Sequence, residues 1–203
     1  MNIAFFGGSF DPPHKGHKKI INKSLEIFDK VLIIPNSKSV DKKKLLIESS
    51  NHRFNMLNLM FDNSNVEIVD YEIKSKLPNY TYYTLKFLMN KYKKDNISMI
   101  IGQDQLLNLT NWYNYEYIIK NVSIICFRRN FKNLNFQKDI YKVAKINFID
   151  FECDISSTDI RMQLSNRNQT QSEKSKFSSN SFFDYSLDSK VLKYINNENL
   201  YLC

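Results

Sequence analysis

Gly7-Gly8-Ser9-Phe10-Asp11-Pro12-Pro13-His14-Lys15-Gly16-His17 stands between an apolar run, Ile3 to Phe6, and an amphipathic segment, which makes it the loop joining a first strand to a first helix. In an open α/β sheet that position binds phosphate. The 203-residue chain has four glycines and three histidines in all, and this loop holds Gly7, Gly8, Gly16, His14 and His17, a concentration that chance clustering explains poorly. Gly7 and Gly8 remove side chains where the backbone turns off the strand and a ligand approaches, and helix amides near Gly16 and His17 point at that ligand. An anion fits there. No Gly-Lys-Ser/Thr follows and the pattern is not Gly-x-Gly-x-x-Gly, so ordinary ATPase and hydride-transfer readings lose their main support.

The segments that follow bring further loops to the same edge. Ile20, Ile21, Leu25 and Phe28 keep the spacing of a core-facing helix over Gly16 to Phe28. Val31 to Ile34, ended by Pro35, reads as a buried parallel strand, and the polar, basic stretch Asn36 to Glu48 as a loop overhanging the site. A helix over Ser50 to Phe61, with His52-Arg53 at its start, and a strand over Val66 to Val69 come next; His52 fits a surface position as well as a site. Thr81 is an N-cap candidate for a helix reaching Tyr92. Ile97 to Ile101 is another buried strand, and the fourth glycine follows at once in Gly102-Gln103-Asp104, so a doubly wound sheet lets both sets of glycines face one ligand. Asp104 either serves that ligand or caps the helix through Leu109. Trp112-Tyr113 forms a stacking platform, Val122 to Cys126 a strand followed by the basic pair Arg128-Arg129, Phe131 to Ala144 a weak helical pattern, and Ile146 to Phe151 a last strand. In Ile155-Ser156-Ser157-Thr158-Asp159-Ile160-Arg161 the hydroxyls stand where a helix begins, so side chains and free amides can hold phosphate oxygens, with Arg161 one turn on. The same spacing also fits an ordinary capping box with a surface arginine.

The expected fold is α/β, a Rossmann-like doubly wound parallel sheet with helices on both faces, in one domain over 1–203. Polar, Ser/Asn-rich sequence at 168–186 reads as a flexible insertion, and 187–202 as a C-terminal helix. No apolar run spans a bilayer and no secretory leader precedes the first strand, which predicts a cytoplasmic protein without membrane attachment. Cys126, Cys153 and Cys203 are too scattered for a disulfide framework or a zinc site. The net charge of +8 suits nucleic acid, an anionic membrane or small polyanions. Its lysines keep company with asparagine and form no basic stripe interleaved with aromatics, so a nucleic-acid partner is not expected; a nucleic-acid groove would not require clustered Gly and His.

The first loop resembles the signature of the nucleotidyltransferase superfamily, G-[ST]-F-D-P-x-H-x-G-H, matched by Gly8 to His17. The order of later motifs is similar to that of nicotinate-nucleotide adenylyltransferases: His52-Arg53, Asn79 to Leu85 for SYTxDTL, Ile101 to Trp112 for IGxDxLxxLxxW, Arg128-Arg129, Ile155 to Arg161 for ISSTxIR, and Tyr194-Ile195 to Leu200-Tyr201 for YIxxxxLY. Asn79 and Tyr83 stand where that family has Ser and Asp, and its PPHK-like loop is not readable in Lys38 to Leu46.

The resemblance implies transfer of AMP from ATP to nicotinate mononucleotide, with release of pyrophosphate and formation of deamido-NAD. In-line attack on the α-phosphorus needs no protein nucleophile; it needs positioning and donors to a crowded phosphate. His14, His17 and Arg161 are the catalytic candidates. The ATP site would comprise Gly7, Gly8, Ser9, Phe10, His14, His17, Gly102, Asp104, Ile155, Ser156, Ser157, Thr158 and Arg161. Acceptor contacts would come from Thr81, Asp104, Trp112, Tyr113 and Arg128, with Trp112 stacking on the pyridine ring and the amides of Thr81 and Tyr113 meeting the nicotinate carboxylate. Mg²⁺ would enter with ATP, held mainly by substrate phosphates rather than by protein ligands. Assembly into a homo-oligomer is left open. The rival readings are another nucleotidyltransferase (phosphopantetheine adenylyltransferase, nicotinamide mononucleotide adenylyltransferase or a cytidylyltransferase) and, in a different class, a basic nucleotide- or nucleic-acid-binding module without turnover.

Overall fold

Both phases of the period-two pattern are apolar in the strands, so the sheet they form must be covered on both faces. The computed structural model describes residues 1–38, 48–128, 144–166 and 181–202. Strands β1 (Asn2–Gly8), β2 (Lys30–Pro35), β3 (Val66–Ile68), β4 (Asn96–Gly102), β5 (Ser123–Arg128) and β6 (Ile146–Asp150) make one sheet in the order β3-β2-β1-β4-β5-β6. Every pairing is parallel. The order reverses between β1 and β4, which are direct neighbours, so the loops leaving their C-terminal ends flank one crevice.

Alternate residues divide between two cores. Ile3, Phe5, Leu32, Ile34, Met99, Ile101, Ile124 and Cys126 join Leu85 and Leu88 of α4 (Thr81–Lys91), Leu106 of α5 (Gln103–Leu107) and Ile118 of α6 (Tyr115–Asn121). Ala4, Val31, Ile33, Ile100, Ile125 and Phe127 meet Ile20 and Ile21 of α1 (Lys15–Leu25) and Leu57 of α2 (Ser50–Met60). A third cluster is built beside the sheet by Met56 and Met60 of α2, Ile160 and Leu164 of α7 (Ser157–Asn166), and Val191 and Ile195 of α9 (Ser189–Asn197), closed by Leu200 and Tyr201. Among the described residues no helix is long and apolar enough to cross a membrane, and Cys126 and Cys153 are buried free thiols.

The doubly wound parallel sheet is as expected; three local expectations change. Of the segment expected as a flexible insertion at 168–186, the described residues 181–186 are helical (α8), and Phe183 and Ser186 within them are fully buried. Aromatics scattered among serines and asparagines offer no period to read. The last helix is shorter than 187–202, and Asp188 caps it by accepting from the Lys190 N–H at 3.1 Å. Two short helices, α3 (Tyr71–Lys74) and α6, had not been expected. The weak helix expected over Phe131 to Ala144 falls, but for Ala144, outside the described residues, as do Arg129, 39–47 and 167–180.

Beneath α4 lies a carboxyl that the sheet does not need. Glu72 of α3 is 7% exposed and accepts from the Thr84 hydroxyl at 2.6 Å. Burial pushes its pKa up to about 7, against the opposing effect of that hydrogen bond. The folded chain therefore holds a proton that the unfolded chain releases near 4.5, so stability declines as the pH rises from 4.5 through 7 and the cost is complete above that. Glu72→Gln keeps an acceptor for Thr84 and carries no charge. Thermal melts should show the variant gaining on the parent by about 2–3 kcal/mol between pH 5 and pH 8.

Candidate active site

The β1–α1 loop is shaped by rings as much as by glycines. Phe10 sits at φ 51°, in the left-handed region, and its ring packs edge-on against His17 at 4.9 Å and against Phe6 at 5.4 Å. His14, 3% exposed, is the extended residue before α1, and its imidazole stacks on that of His17 with centroids 3.7 Å apart. The His14 backbone N–H donates to His17 Nδ1 at 3.2 Å. In the neutral imidazole the proton is thereby fixed on Nε2, which becomes an N–H donor. Gly16 is required by contact: a Cβ there would lie 2.7 Å from Cys153 Sγ and 2.9 Å from the His14 ring. At Gly7 a Cβ would meet nothing within 4 Å, so the space over the end of β1 is open.

Four distant side chains hold this loop from behind. Arg53, fully buried, donates from Nη1 to the Ser9 carbonyl, from Nη2 to the Asn36 carbonyl at 2.7 Å and from Nε to the Glu48 carbonyl at 3.2 Å. Burial pushes the guanidinium pKa below its ordinary value, with nearby Asp11 working the other way. Ser157 Oγ donates to the Pro12 carbonyl at 3.0 Å, Arg161 Nη1 to the Asp11 carbonyl at 2.6 Å, and the Tyr201 hydroxyl to Asp11 Oδ1 at 2.7 Å. Arg53 was not among the site residues expected from sequence. The signal was available, since Arg53 shares its helix face with Met56, Leu57 and Met60, all buried.

His14, His17, Ser157 and Arg161 thus converge on one loop. Gly102 precedes α5 on the neighbouring strand, where it occupies the cap position, leaving Asp104 exposed and free of capping duty. Ser156 takes the capping role: it accepts from the Asp159 N–H at 3.1 Å and donates to the Asp159 carboxylate at 2.6 Å. Ile155 is a core residue of the third cluster. Thr158 lies 3.4 Å from Arg161 Nη2. Ser9 Oγ accepts from Asn36 Nδ2 at 3.4 Å, tying the loops after β1 and β2 together. Tyr80, not Thr81, takes the cap position of α4. The Trp112-Tyr113 platform divides: Trp112 packs half-buried on the main core, while Tyr113, 46% exposed, stacks with Tyr80 at 5.0 Å and Tyr83 at 5.9 Å. Arg128, at the end of β5, donates from Nε and Nη2 to Asp150 Oδ1 at 2.9 and 2.6 Å over the Phe148 ring. His52 faces the C-terminal helix, with Nδ1 3.0 Å from the Tyr194 hydroxyl.

A family model described as cytidylyltransferase-like matches residues 5–163, the span from β1 into α7. A protein of Fusobacterium nucleatum named "Probable nicotinate-nucleotide adenylyltransferase" is 38% identical over 174 residues, covering 82% of this chain and 89% of that protein. One of the same name from Caldicellulosiruptor saccharolyticus is 33% identical over 214 residues and covers 99% of both chains. The chain belongs to the nicotinate-nucleotide adenylyltransferase family. The fold is shared with a Plasmodium falciparum nicotinic acid mononucleotide adenylyltransferase solved with NaAD, at a TM-score of 0.78 and 21% identity, covering 98% of this chain and 97% of that one. Within this family frame Gly16 is the tightest point of the loop. Gly16→Ala should force the His14 ring off its stack, costing about 1–3 kcal/mol of stability by overpacking. A thermal melt together with the rate of pyrophosphate release checks it, the rate falling further than the stability loss explains.

Proposed function

We propose that the chain transfers AMP from ATP to nicotinate mononucleotide, releasing pyrophosphate and giving deamido-NAD, as a step of NAD biosynthesis. One observation supports this most strongly: a stacked imidazole pair at a helix start, on a loop whose backbone is fastened from behind, at the switch point of a parallel sheet. The acceptor's 5′-phosphate oxygen attacks the α-phosphorus of ATP, an O–P bond forms, the bond to the bridging oxygen of the β-phosphate breaks, and pyrophosphate leaves with the electron pair. No side chain is alkylated or phosphorylated along the way.

His17, with its proton on Nε2, is the donor to the α-phosphate oxygens as charge builds there, and His14 and the α1 amides flank it. Thr158 and Arg161 line the other side of the triphosphate, Arg161 also holding the loop. Gly102 and Asp104 face the adenosine from β4. These groups, imidazole N–H, guanidinium, hydroxyl and amide, are all donors, a set that grips phosphate oxygens. ATP is taken with its divalent ion, for which we propose magnesium; it prefers phosphate and water oxygens and offsets the charge of the leaving pyrophosphate. Thr81 and Tyr113 supply amides to the pyridine carboxylate, with Trp112 beside them.

His17→Asn keeps an acceptor near the place of Nδ1 and removes the Nε2 donor. Turnover should fall by about 100-fold or more, the scale of losing one such donor, while the melting temperature stays near that of the parent. Steady-state pyrophosphate release and a thermal melt on the same preparation decide it.

Acceptor choice follows from the same chemistry. A carboxylate accepts at both oxygens, whereas a carboxamide must turn its NH₂ toward one donor, leaving a buried polar group unpaired at about 1–3 kcal/mol. With saturating Mg-ATP, kcat/KM for nicotinate mononucleotide should exceed that for the nicotinamide form by about ten-fold or more. Equal values would remove Thr81 and Tyr113 from the acceptor site.

A further inference from the structure

The closing Leu200-Tyr201 pair has no part in the transfer chemistry, yet it ends at the phosphate loop. Tyr201 is 3% exposed and sits at φ 61°, a left-handed conformation held by its surroundings. Its N–H donates to Glu48 Oε1 at 3.0 Å and its hydroxyl to Asp11 Oδ1 at 2.7 Å, across 190 residues of sequence. Asp11 is itself 3% exposed. Burial and the Asp11 carboxylate push the Tyr201 phenol far above its usual range, so it is a neutral donor at working pH.

The two sides of Asp11 are therefore gripped from the C-terminal third: its carboxylate by Tyr201 and its carbonyl by Arg161, with Ser157 on the next carbonyl. Between Phe10, whose ring braces His17, and His14, which stacks on it, Asp11 is where a shift of the backbone reaches both imidazoles. The C-terminal unit is fastened to the same region elsewhere, by Lys18 to Asp188 at 2.8 Å and by Tyr194 to His52 and Asn55 at 3.0 and 3.1 Å. Those contacts and the third apolar cluster hold α9 in place without the Tyr201 oxygen. That oxygen is left with one task, the aspartate.

We infer that Tyr201 is a positioning residue: its hydroxyl, through Asp11, sets the backbone of the phosphate loop so that His14 and His17 meet the triphosphate of ATP. The inference rests on the reading of this loop as the ATP site.

The test takes the full chain and the variants Tyr201→Phe, Asp11→Asn, the double variant, and Ile195→Val, a core change in the same cluster as Tyr201. Each is measured for Mg-ATP affinity by calorimetry, for kcat and KM toward ATP, and for melting temperature. Tyr201→Phe and Asp11→Asn should each lower Mg-ATP affinity or kcat/KM by about ten-fold, the size of one buried hydrogen bond to a charge. The double variant should be no worse than the poorer single, since Asp11→Asn keeps the acceptor but takes away the charge that the Tyr201 hydroxyl serves, so both changes act on one interaction. Ile195→Val should lower the melting temperature and leave ATP affinity where it was. Tyr201→Phe within about two-fold of the parent, losses that simply follow melting temperature across all four variants, or losses that multiply in the double variant would each overturn the inference. If the parent binds Mg-ATP but does not turn over nicotinate mononucleotide, the affinity measurements still decide the role of Tyr201, and only the proposed reaction falls. A parent chain that does not bind Mg-ATP overturns both.

Discussion

A fully buried guanidinium is the fixed point of this molecule. Arg53 is shut off from bulk solvent, and its charge is accommodated because the carbonyls of Ser9, Asn36 and Glu48 each accept from one of its three nitrogens, with the Asp11 carboxylate nearby. Those carbonyls belong to the ends of β1 and β2 and to the approach to α2. One side chain therefore sets the spacing of the two loops that leave adjacent strands, and Asn36 adds its own bond from its N–H to the Gly8 carbonyl at 3.0 Å. A lysine could not substitute, because a point charge with rotating donors does not define three directions at once.

The consequence for catalysis is that the loop is organised before any ligand arrives. Donors aimed at developing charge contribute most when they need not reorient during reaction. Here the backbone of residues 9–12 is held by Arg53, Ser157 and Arg161, the Asp11 carboxylate by Tyr201, and the two imidazoles by each other, by Phe10 and by the absence of a side chain at Gly16. Arg161 works on both sides of this arrangement, reaching a loop carbonyl with one nitrogen and Thr158 with another.

The sheet was legible because parallel strands buried on both faces spell themselves as short apolar runs, and the meeting of the loops after β1 and β4 followed from the glycines placed after each strand. The loop at residues 7–17 was legible because rare residue types crowd into it. What escaped was whatever depends on contacts far apart in sequence. Nothing local distinguishes Arg53 from a surface arginine except its helix face, and nothing local in Asp11 or Tyr201 announces a partner 190 residues away. Phe183 was lost for a different reason: a single buried helical turn in a Ser/Asn-rich stretch is shorter than any period that a sequence can display. The ion pair of Arg128 with Asp150 escaped for the same reason as Arg53 and Tyr201, since only strand pairing brings the two side by side.

The β1–α1 loop and the tyrosine cluster at the start of α4 are built on different principles. In the loop, charge-assisted bonds run to backbone carbonyls, so a change of side chain moves main chain. In the cluster, the rings of Tyr80, Tyr83 and Tyr113 lie nearly parallel, at 23–25° to one another, and Tyr82 meets Tyr113 edge-on. These rings are held mainly by the faces and edges they present to one another. Tyr83 stands at the start of α4 in the place where related sequences carry Asp, and what it brings is area and a neutral hydroxyl in place of a carboxylate. A carboxylate at that position would stand against the faces of Tyr80 and Tyr113, where ring faces carry negative potential, so a neutral ring suits the cluster.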